Sequence, residues 1–536
     1  MKKLNYLFIG LLLQIVFTGC EQDLDQTPID PDLFTEVDVY QNKTEAKGAL
    51  AKVYASLALT GQQGPSGQAD IQGVDEGFSQ FSRMLYNLNE LTTDHCVVSW
   101  GDPGLPNLHE MTWGSGNDFT TAMYYRLAQV VSFSNSFIAN ATDLPQDTEV
   151  DSYISEARFI RAYAYYNLMD LFANVPLVTE ITTDLPVQNT RQEVFNFVEN
   201  ELLEIQDHLL PSQGNEYGRV DQVAAWAMLS RLYLNAGVYT GQDRYAESLQ
   251  YSEKVLQSSY VINTVDGNGN GSAYDELFLA DNNSNGAQNE FIFVLNFDGI
   301  KSQTYGGTTF LVHAPIGGDM DPVEYGVNGG WAGYRCTKAL VEKFDYAATA
   351  QDDDGHPTAW SDQRAQFFTE GQNYEINTIA NTFSDGYAMG KFKNVDVDGI
   401  QGSDASGNFA DTDLPLIRLA EVYLNYAEAV VKGGGGDVAT ATGLVNQLRN
   451  RAGATTINQS NLTAQFVLDE RSRELHWEGL RRTDLIRYNQ FVTSSYLWPF
   501  KGGASNGKAV ADYRNVFPLP DNILLINTNL TQNPGY

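Results

Sequence analysis

The sequence predicts a mostly α-helical protein: a scaffold of tetratricopeptide-like helix pairs overlaid by two long loop-rich regions. Three observations lead there. Apolar residues recur at spacings of three and four in several well-separated segments. Residues 221–237 and 243–258 form a helix–turn–helix of about 34 residues, the length of a tetratricopeptide unit, with Trp226, Tyr233, Leu234, Tyr245 and Ala246 suited to its core. Residues 61–119 and 261–413 lose the helical period and fill with Gly, Pro and Asn.

Taken in order, 44–59 (TEAKGALAKVYASLAL) reads as the first helix, and 120–140 and 151–173 as the next two. In 151–173, Ile154, Ala157, Ile160, Ala164, Leu168 and Leu171 share one side. Residues 191–210 form another helix, ending at Pro211. Asp221 caps the segment to Asn235, and Gly237 stops it. Glu290 to Phe297 (EFIFVLNF) is strand-like. Helices return at 414–432, with Asp413 as cap and glycines 433–436 as stop, and at 437–451. A last long helix is expected over 464–489. Trp226 and Trp477 fall on apolar stripes and are expected in the core. Trp113, beside a glycine in MTWGSG, reads as a packing residue.

The chain has 536 residues, with 67 acidic and 33 basic side chains and a formal charge of −34. Such a surface repels phosphate backbones, so nucleic acid is excluded as a natural partner. Acidic polysaccharides are disfavoured for the same reason. With 29 Tyr, 27 Phe and 7 Trp, the composition suits a neutral, hydroxyl-rich ligand.

Residues 1–19 (MKKLNYLFIGLLLQIVFTG) have a basic start at Lys2 and Lys3. Their apolar run is of signal-peptide length, too short to span a bilayer. The segment before Cys20 resembles a lipoprotein cleavage box, with Phe17 where Leu is usual. The resemblance implies that Cys20 is lipidated and becomes the first mature residue. Residues 20–42 form an acidic, Pro-containing tether, and its start (Glu21, Asp23, Asp25) resembles the signal that exports lipoproteins to the outer face of the outer membrane. Residues 43–536 are expected to be one structural unit, helical over about 43–60, 120–260 and 414–491. The remaining cysteines, Cys96 and Cys336, have no metal-binding spacing and read as two buried thiols.

Four segments resemble the SusD/RagB family of outer-membrane glycan-binding lipoproteins: Glu156–Glu180, Asp411–Val431, Glu470–Tyr488 and Phe517–Tyr536. Physically they are scaffold. Within them Glu470 with Arg473, and Glu478 with Arg482, have helical pair spacing, worth tenths of a kcal/mol when exposed. Gly61–Gly77, Asn89–Trp100, Tyr305–Val312 and Asn328–Trp331 further resemble the starch-binding members. That likeness implies an aromatic arc of Trp100, Tyr305 and Trp331, with Arg83 as a polar contact. Val98 stands where those members have a second Trp. The GDPG segment is one residue shorter, which puts Asp102 in the place of an amide contact. The family also implies starch or maltooligosaccharide as ligand and a SusC-like TonB-dependent transporter as partner. Each arc aromatic lies beside glycines or in a turn, where a bulky ligand can reach it. The C–H face of a sugar ring suits an aromatic face. The alternative is that these rings anchor loops to the core.

Asp281–Gly286 (DNNSNG) matches the start of a calcium loop, D-x-[DN]-x-[DN]-G, although the twelfth position is Ile292. Asp281, Asn283 and Asn285, joined by Asp411 and Asp413, form a candidate Ca2+ set, and the resemblance implies a structural calcium. The other reading is an Asn/Gly turn with Asp413 as a helix cap. Gly503–Gly507 (GASNG) has the letters of a nucleophile elbow, but all six histidines precede Ser505 and its flanks read as loop. The alternatives are a binder of another neutral glycan on the same family frame and, as the runner-up class, a paired-carboxylate glycosidase. A non-catalytic glycan binder is the expectation.

Overall fold

The computed structural model describes residues 39–536. The signal segment, Cys20 and the tether as far as residue 38 lie outside the described residues. The frame is built from α1 (Lys43–Ala58), α2 (Phe81–Asn89), α3 (Asp118–Thr142), α4 (Thr148–Phe172), α5 (Arg191–Ile205), α6 (Gln222–Leu234) and α7 (Tyr245–Leu256). It continues through α8 (Gly307–His313), α9 (Leu419–Val431), α10 (Val438–Arg451), α11 (Ala464–Leu475) and α12 (Arg481–Arg487).

Helix α4 runs through the centre. From Ser155 to Phe172 every residue except Arg158 is buried. Its polar side chains survive burial because each is paired: Glu156 with Arg219, Arg161 with Glu201, Asp170 with Arg482. Its start is fixed by Asp147, which accepts from the N–H groups of Glu149 and Val150. Thr190 and Glu193 form a capping box on α5. The pair α6/α7 closes on small side chains: the Ser230 and Ser252 hydroxyls meet at 2.8 Å. Asp221 caps α6 as expected. The chain then makes a further helical turn, Ala236–Thr240, and stops at Gly241 in a left-handed conformation rather than at Gly237.

Among the described residues, eight short strands make four antiparallel pairs: β1 (Cys96–Val98) with β3 (Tyr334–Cys336), β2 (Phe291–Leu295) with β8 (Leu414–Arg418), β4 (Ala348–Gln351) with β5 (Pro357–Trp360), and β6 (Phe367–Phe368) with β7 (Ala388–Met389). The β2–β8 pair zips together the two ends of the loop-rich excursion 296–413. It packs on α4, where Phe293 meets Phe159 and Tyr163 edge-on. Cys96 lies directly opposite Cys336, both buried and free.

Several expectations are corrected. Residues 414–418 are strand β8, so helix α9 begins only at Leu419 and Asp413 does not cap it. The single helix expected over 464–489 is two. His476–Leu480 breaks it, with Trp477 and Gly479 both at positive φ (65° and 77°), which a continuous right-handed helix cannot accommodate. The Glu478–Arg482 pair therefore does not form. Glu478 binds Lys391 and Arg418, and Arg482 binds Asp170. The Glu470–Arg473 pair does form, but fully buried rather than exposed. Both loop-rich regions contain helix, α2 in the first and α8 in the second. Trp226 is half-buried, its indole N–H donating to Gln206 and Lys254 lying 5.4 Å from the ring. Trp477 and Trp113 are core at 1% and 0% exposure.

Candidate functional site

The β1–β3 pair is the bracket on which the arc is mounted. Its ladder continues outward through Ser99 N–H to the Gly333 carbonyl (2.8 Å) and Ser99 Oγ to the Ala332 carbonyl (2.6 Å). The next residues out are Trp100 and Trp331. The Trp100 indole N–H donates to the Trp331 carbonyl at 2.9 Å. A side chain at 333 would put its Cβ 2.3 Å from the Trp100 ring, so glycine there lets the indole lie on the backbone. At 330, a Cβ would fall 1.9 Å from the Ile316 carbonyl oxygen, whereas Gly329 faces open space. The glycines around Trp331 thus serve packing as well as ligand approach.

The third ring stands just before helix α8. Tyr305 precedes it, and Trp331 N–H bonds to the His313 carbonyl at its end (2.8 Å). The His313 ring stacks behind Trp331 at 4.9 Å and 17°. Burial lowers the His313 pKa and so favours the neutral ring, against the hydrogen bond to the Gly329 carbonyl, which favours the protonated one. Ala332 sits at φ 48°, a left-handed conformation costly for a residue with Cβ. It is held there by its N–H bond to Ile316 O and the neighbouring bond from Gly333 to Ala314 O.

All three rings are half-buried and adjacent. Trp100 and Trp331 centroids are 6.2 Å apart at 47°, Tyr305 and Trp331 6.4 Å apart at 55°. Arg83, on α2, lies beneath them. Its guanidinium is 4.8 Å from the Phe310 ring and about 6 Å from both tryptophans, and it donates to the carbonyls of Tyr305 (3.0 Å) and Gly77. Burial lowers its pKa, with Tyr334, Asp102 and Asp75 opposing. Arg83 is therefore placed to hold the Tyr305 loop and the rings from below. Asp102 is exposed on the rim of a cavity of about 470 Å³ beside Trp100. So Trp100, Tyr305, Trp331 and Arg83 come together, with Asp102 at their edge. Missed from sequence were Asn381 and Phe383 in the cavity wall, Phe409 at 5.4 Å from Tyr305, and His313. They lie in loops without a periodic signal, or in a helix that was read as loop.

The candidate metal residues divide. Asp281 Oδ1 accepts from the Asn285 amide (3.1 Å), and Asn285 also donates to Glu276 O while its own oxygen accepts from Ala287 N–H. These two close a turn on themselves. Asp413 is different. One carboxylate oxygen accepts from Phe297 N–H (2.7 Å), while the buried Oδ2 has no well-formed hydrogen bond among the described residues. Burial pushes its pKa up to about 7, Asp411 adds to the push, and Phe297 N–H, Tyr217 and Asn283 oppose it. No cluster of three His, Cys, Asp or Glu side chains suited to a metal occurs among the described residues. Asp411 is engaged elsewhere, its carboxylate accepting from Gly299 N–H (2.7 Å), Ser403 N–H (2.6 Å) and the Ser403 hydroxyl (2.7 Å), and Asn283 is exposed.

Residues 289–536 match the SusD family, and residues 39–234 match a family described as starch-binding and associating with the outer membrane. The chain is 36% identical, over 572 aligned positions covering 100% of it and 99% of the relative, to starch-binding protein SusD of Bacteroides thetaiotaomicron. Among solved structures, a SusD superfamily protein of Parabacteroides distasonis superposes with TM-score 0.69 at 21% identity, covering 92% of this chain and 99% of that one. A laminarin-binding SusD-like protein superposes with TM-score 0.68 at 21% identity, covering 92% and 100%. With its helical frame, four recurrent segments and full-length identity all in agreement, the chain belongs to the SusD family.

Proposed function

We propose that this protein captures starch-type α-glucan, down to maltooligosaccharides, without cleaving it. From a lipid-anchored position on the outer face of the outer membrane it passes the ligand to a SusC-like TonB-dependent transporter. The observation that carries the ligand reading is the tilt of three half-exposed rings drawn from loops distant in sequence. Successive rings turn by 47° and 55°, giving a curved apolar surface. A helical α-glucan presents its sugar faces along such a curve, whereas a flat β-glucan presents them to coplanar rings. The starch-binding name of the 36%-identical relative points the same way. A structural neighbour binds laminarin, so the frame itself does not dictate the glycan. A structural Ca2+ at Asp413 and Asn283, for which Asp411 would exchange its bonds to Gly299 and Ser403, would tie the start of β8 to the DNNSNG turn. Affinity electrophoresis on amylopectin, pullulan, laminarin and levan, beside a reducing-sugar assay, tests the reading. Retardation by amylopectin and pullulan without sugar release is expected. Preferential retardation by laminarin or levan, or release of reducing ends, refutes it.

A further inference from the structure

We propose that the glycan chain runs on past Trp100 into a further sugar subsite, formed by Phe383, Asn381 and Asp102. The inference rests on the α-glucan reading above and extends the site beyond its three rings. The space is the cavity of about 470 Å³ beside Trp100, a size that holds small organic ligands. Its wall is open to solvent where the ligand would touch it: Asp102 and Asn381 are exposed, and Trp100 and Phe383 are half-buried.

The far wall is tied to the same bracket as the arc. Asn381 N–H donates to the carbonyl of Ser99, the residue before Trp100, at 3.0 Å. Arg335 of β3, fully buried, donates to the carbonyls of Asp385 (2.8 Å) and Ile379 (3.1 Å). The Asp385 carboxylate accepts from the N–H groups of Asn377 and Thr378 (2.9 and 2.8 Å) and from the Asn373 amide (2.7 Å). Residues 377–385 are thereby fixed against the strand pair that mounts the tryptophans, as a binding wall requires. A Cβ at Gly317 or Gly318 would lie 3.0 or 3.6 Å from the Phe383 ring, so that ring packs on bare backbone, as Trp100 does on Gly333. Asn381 and Ala332, both in the cavity wall, hold positive φ (57° and 48°), a conformation that collects at ligand clamps.

Chemistry selects the occupant. Neither the Asp102 nor the Asn381 side chain makes a hydrogen bond among the described residues, so a carboxylate and an amide stand ready for a ligand. They are too few oxygens for a calcium-like cation. Asp102 repels an anion at contact, and the charge of −34 does so at longer range. A neutral pyranose fits. Its hydroxyls donate to Asp102, donate to and accept from Asn381, and its C–H face covers the Phe383 ring. Trp331 lies between Tyr305 and Trp100, so a chain leaving the arc over Trp100 enters this cavity.

Chain length is the readout. Maltotriose has one sugar for each arc ring, and maltoheptaose has units to spare for the subsite. Both are titrated by calorimetry into the full chain and two variants, with Tm measured on the same samples. Asn381→Gly, which keeps the positive φ, and Phe383→Ala should each lower maltoheptaose affinity about fivefold and maltotriose affinity less than twofold. Asn381→Gly should leave Tm unmoved, and it alone decides the matter if Phe383→Ala lowers Tm. Unchanged maltoheptaose affinity, or equal losses for the two sugars, overturns the subsite and leaves the α-glucan reading standing. An unsubstituted chain that binds neither sugar overturns both.

Discussion

Trp331→Ala is the sharpest perturbation of the arc. Trp331 has one face on His313 and its other side toward Trp100 and Tyr305, and it is half-buried. A large aromatic side chain offers about 150–250 Å² to contacts, so about 100 Å² remains for a sugar to cover. At about 25 cal/mol per Å² that is about 2.5 kcal/mol, a loss of about 70-fold in affinity. The stability cost is smaller than for a core tryptophan, about 1–2 kcal/mol against about 3–5 for Trp477→Ala. Trp100→Ala should cost more stability than Trp331→Ala, because it also removes the indole hydrogen bond to the Trp331 carbonyl. The assay is maltoheptaose titration by calorimetry, with urea unfolding of the same samples. Trp331→Phe, which keeps a ring, should fall between wild type and alanine. Affinity within twofold of wild type for Trp331→Ala, or a stability loss equal to that of Trp477→Ala, would refute the reasoning and leave the rings as loop anchors.

Arg83→Met should lower maltoheptaose affinity about tenfold by freeing the Tyr305 loop, since a charged hydrogen bond and ring contacts are lost together; undiminished affinity would count against its placing role. EDTA should lower Tm and added calcium restore it, because a ligand of the native state alone stabilises by mass action; an unmoved Tm with no metal in the purified protein ends the calcium proposal. Burial pulls the His109 pKa from 6.5 to about 3, with Arg335 adding to it, so the unfolded chain takes up a proton that the folded chain refuses. Stability is then lost as pH falls below about 6.5, by about 2 kcal/mol at pH 5, and His109→Gln should remove that part of the slope between pH 7 and 5; parallel slopes in the two proteins would contradict it. Cys20→Ala should leave the protein unlipidated and free of the outer-membrane fraction, as no helix among the described residues is long and apolar enough to cross a membrane; unchanged retention on fractionation sinks the anchor.

The frame was legible because its helices carry apolar residues at spacings of three and four and open on orthodox caps: the Asp147, Asp221 and Asp437 side chains each accept from first-turn N–H groups. Helix α2 escaped although Phe81, Met84, Leu85 and Leu88 keep helical spacing, because at nine residues it is short and lies inside a region otherwise filled with Gly, Pro and Asn. Strand β8 escaped because LPLIR runs straight into the apolar stripe of α9, and only its pairing with distant β2 makes it a strand. The break at 476–480 turns on backbone geometry at Trp477 that no spacing reveals. Within the site, the three aromatics could be named from a resemblance, but not the bracket that joins them. That rests on the register Val98–Tyr334, a contact between residues 236 positions apart in the chain.

The buried charges of the C-terminal motif connect this frame to the arc. Arg364, Arg418 and Arg451, all fully buried, meet Glu470, Glu474 and Glu290 in one network. Ions so placed are worth little net stability, yet stripping one partner strands the others, at about 3–5 kcal/mol. Such a network therefore fixes where its elements sit. Glu90, at the C-terminal end of α2, reaches into the gap between α11 and α12 and accepts from the N–H groups of Gly479 and Leu480 (2.8 and 3.1 Å). Its other oxygen holds His95 at 2.6 Å, and His95 meets Ser472 at 2.7 Å. Serine, histidine and glutamate in series have the look of a hydrolytic triad. Here they are 2%, 1% and 0% exposed, and their hydrogen bonds join helix ends, so no substrate can reach the serine. What the chain of bonds does is lock the end of α2, and α2 carries Arg83 beneath the tryptophans. The motif acts on the binding face at a distance, by fixing the helix on which that face rests.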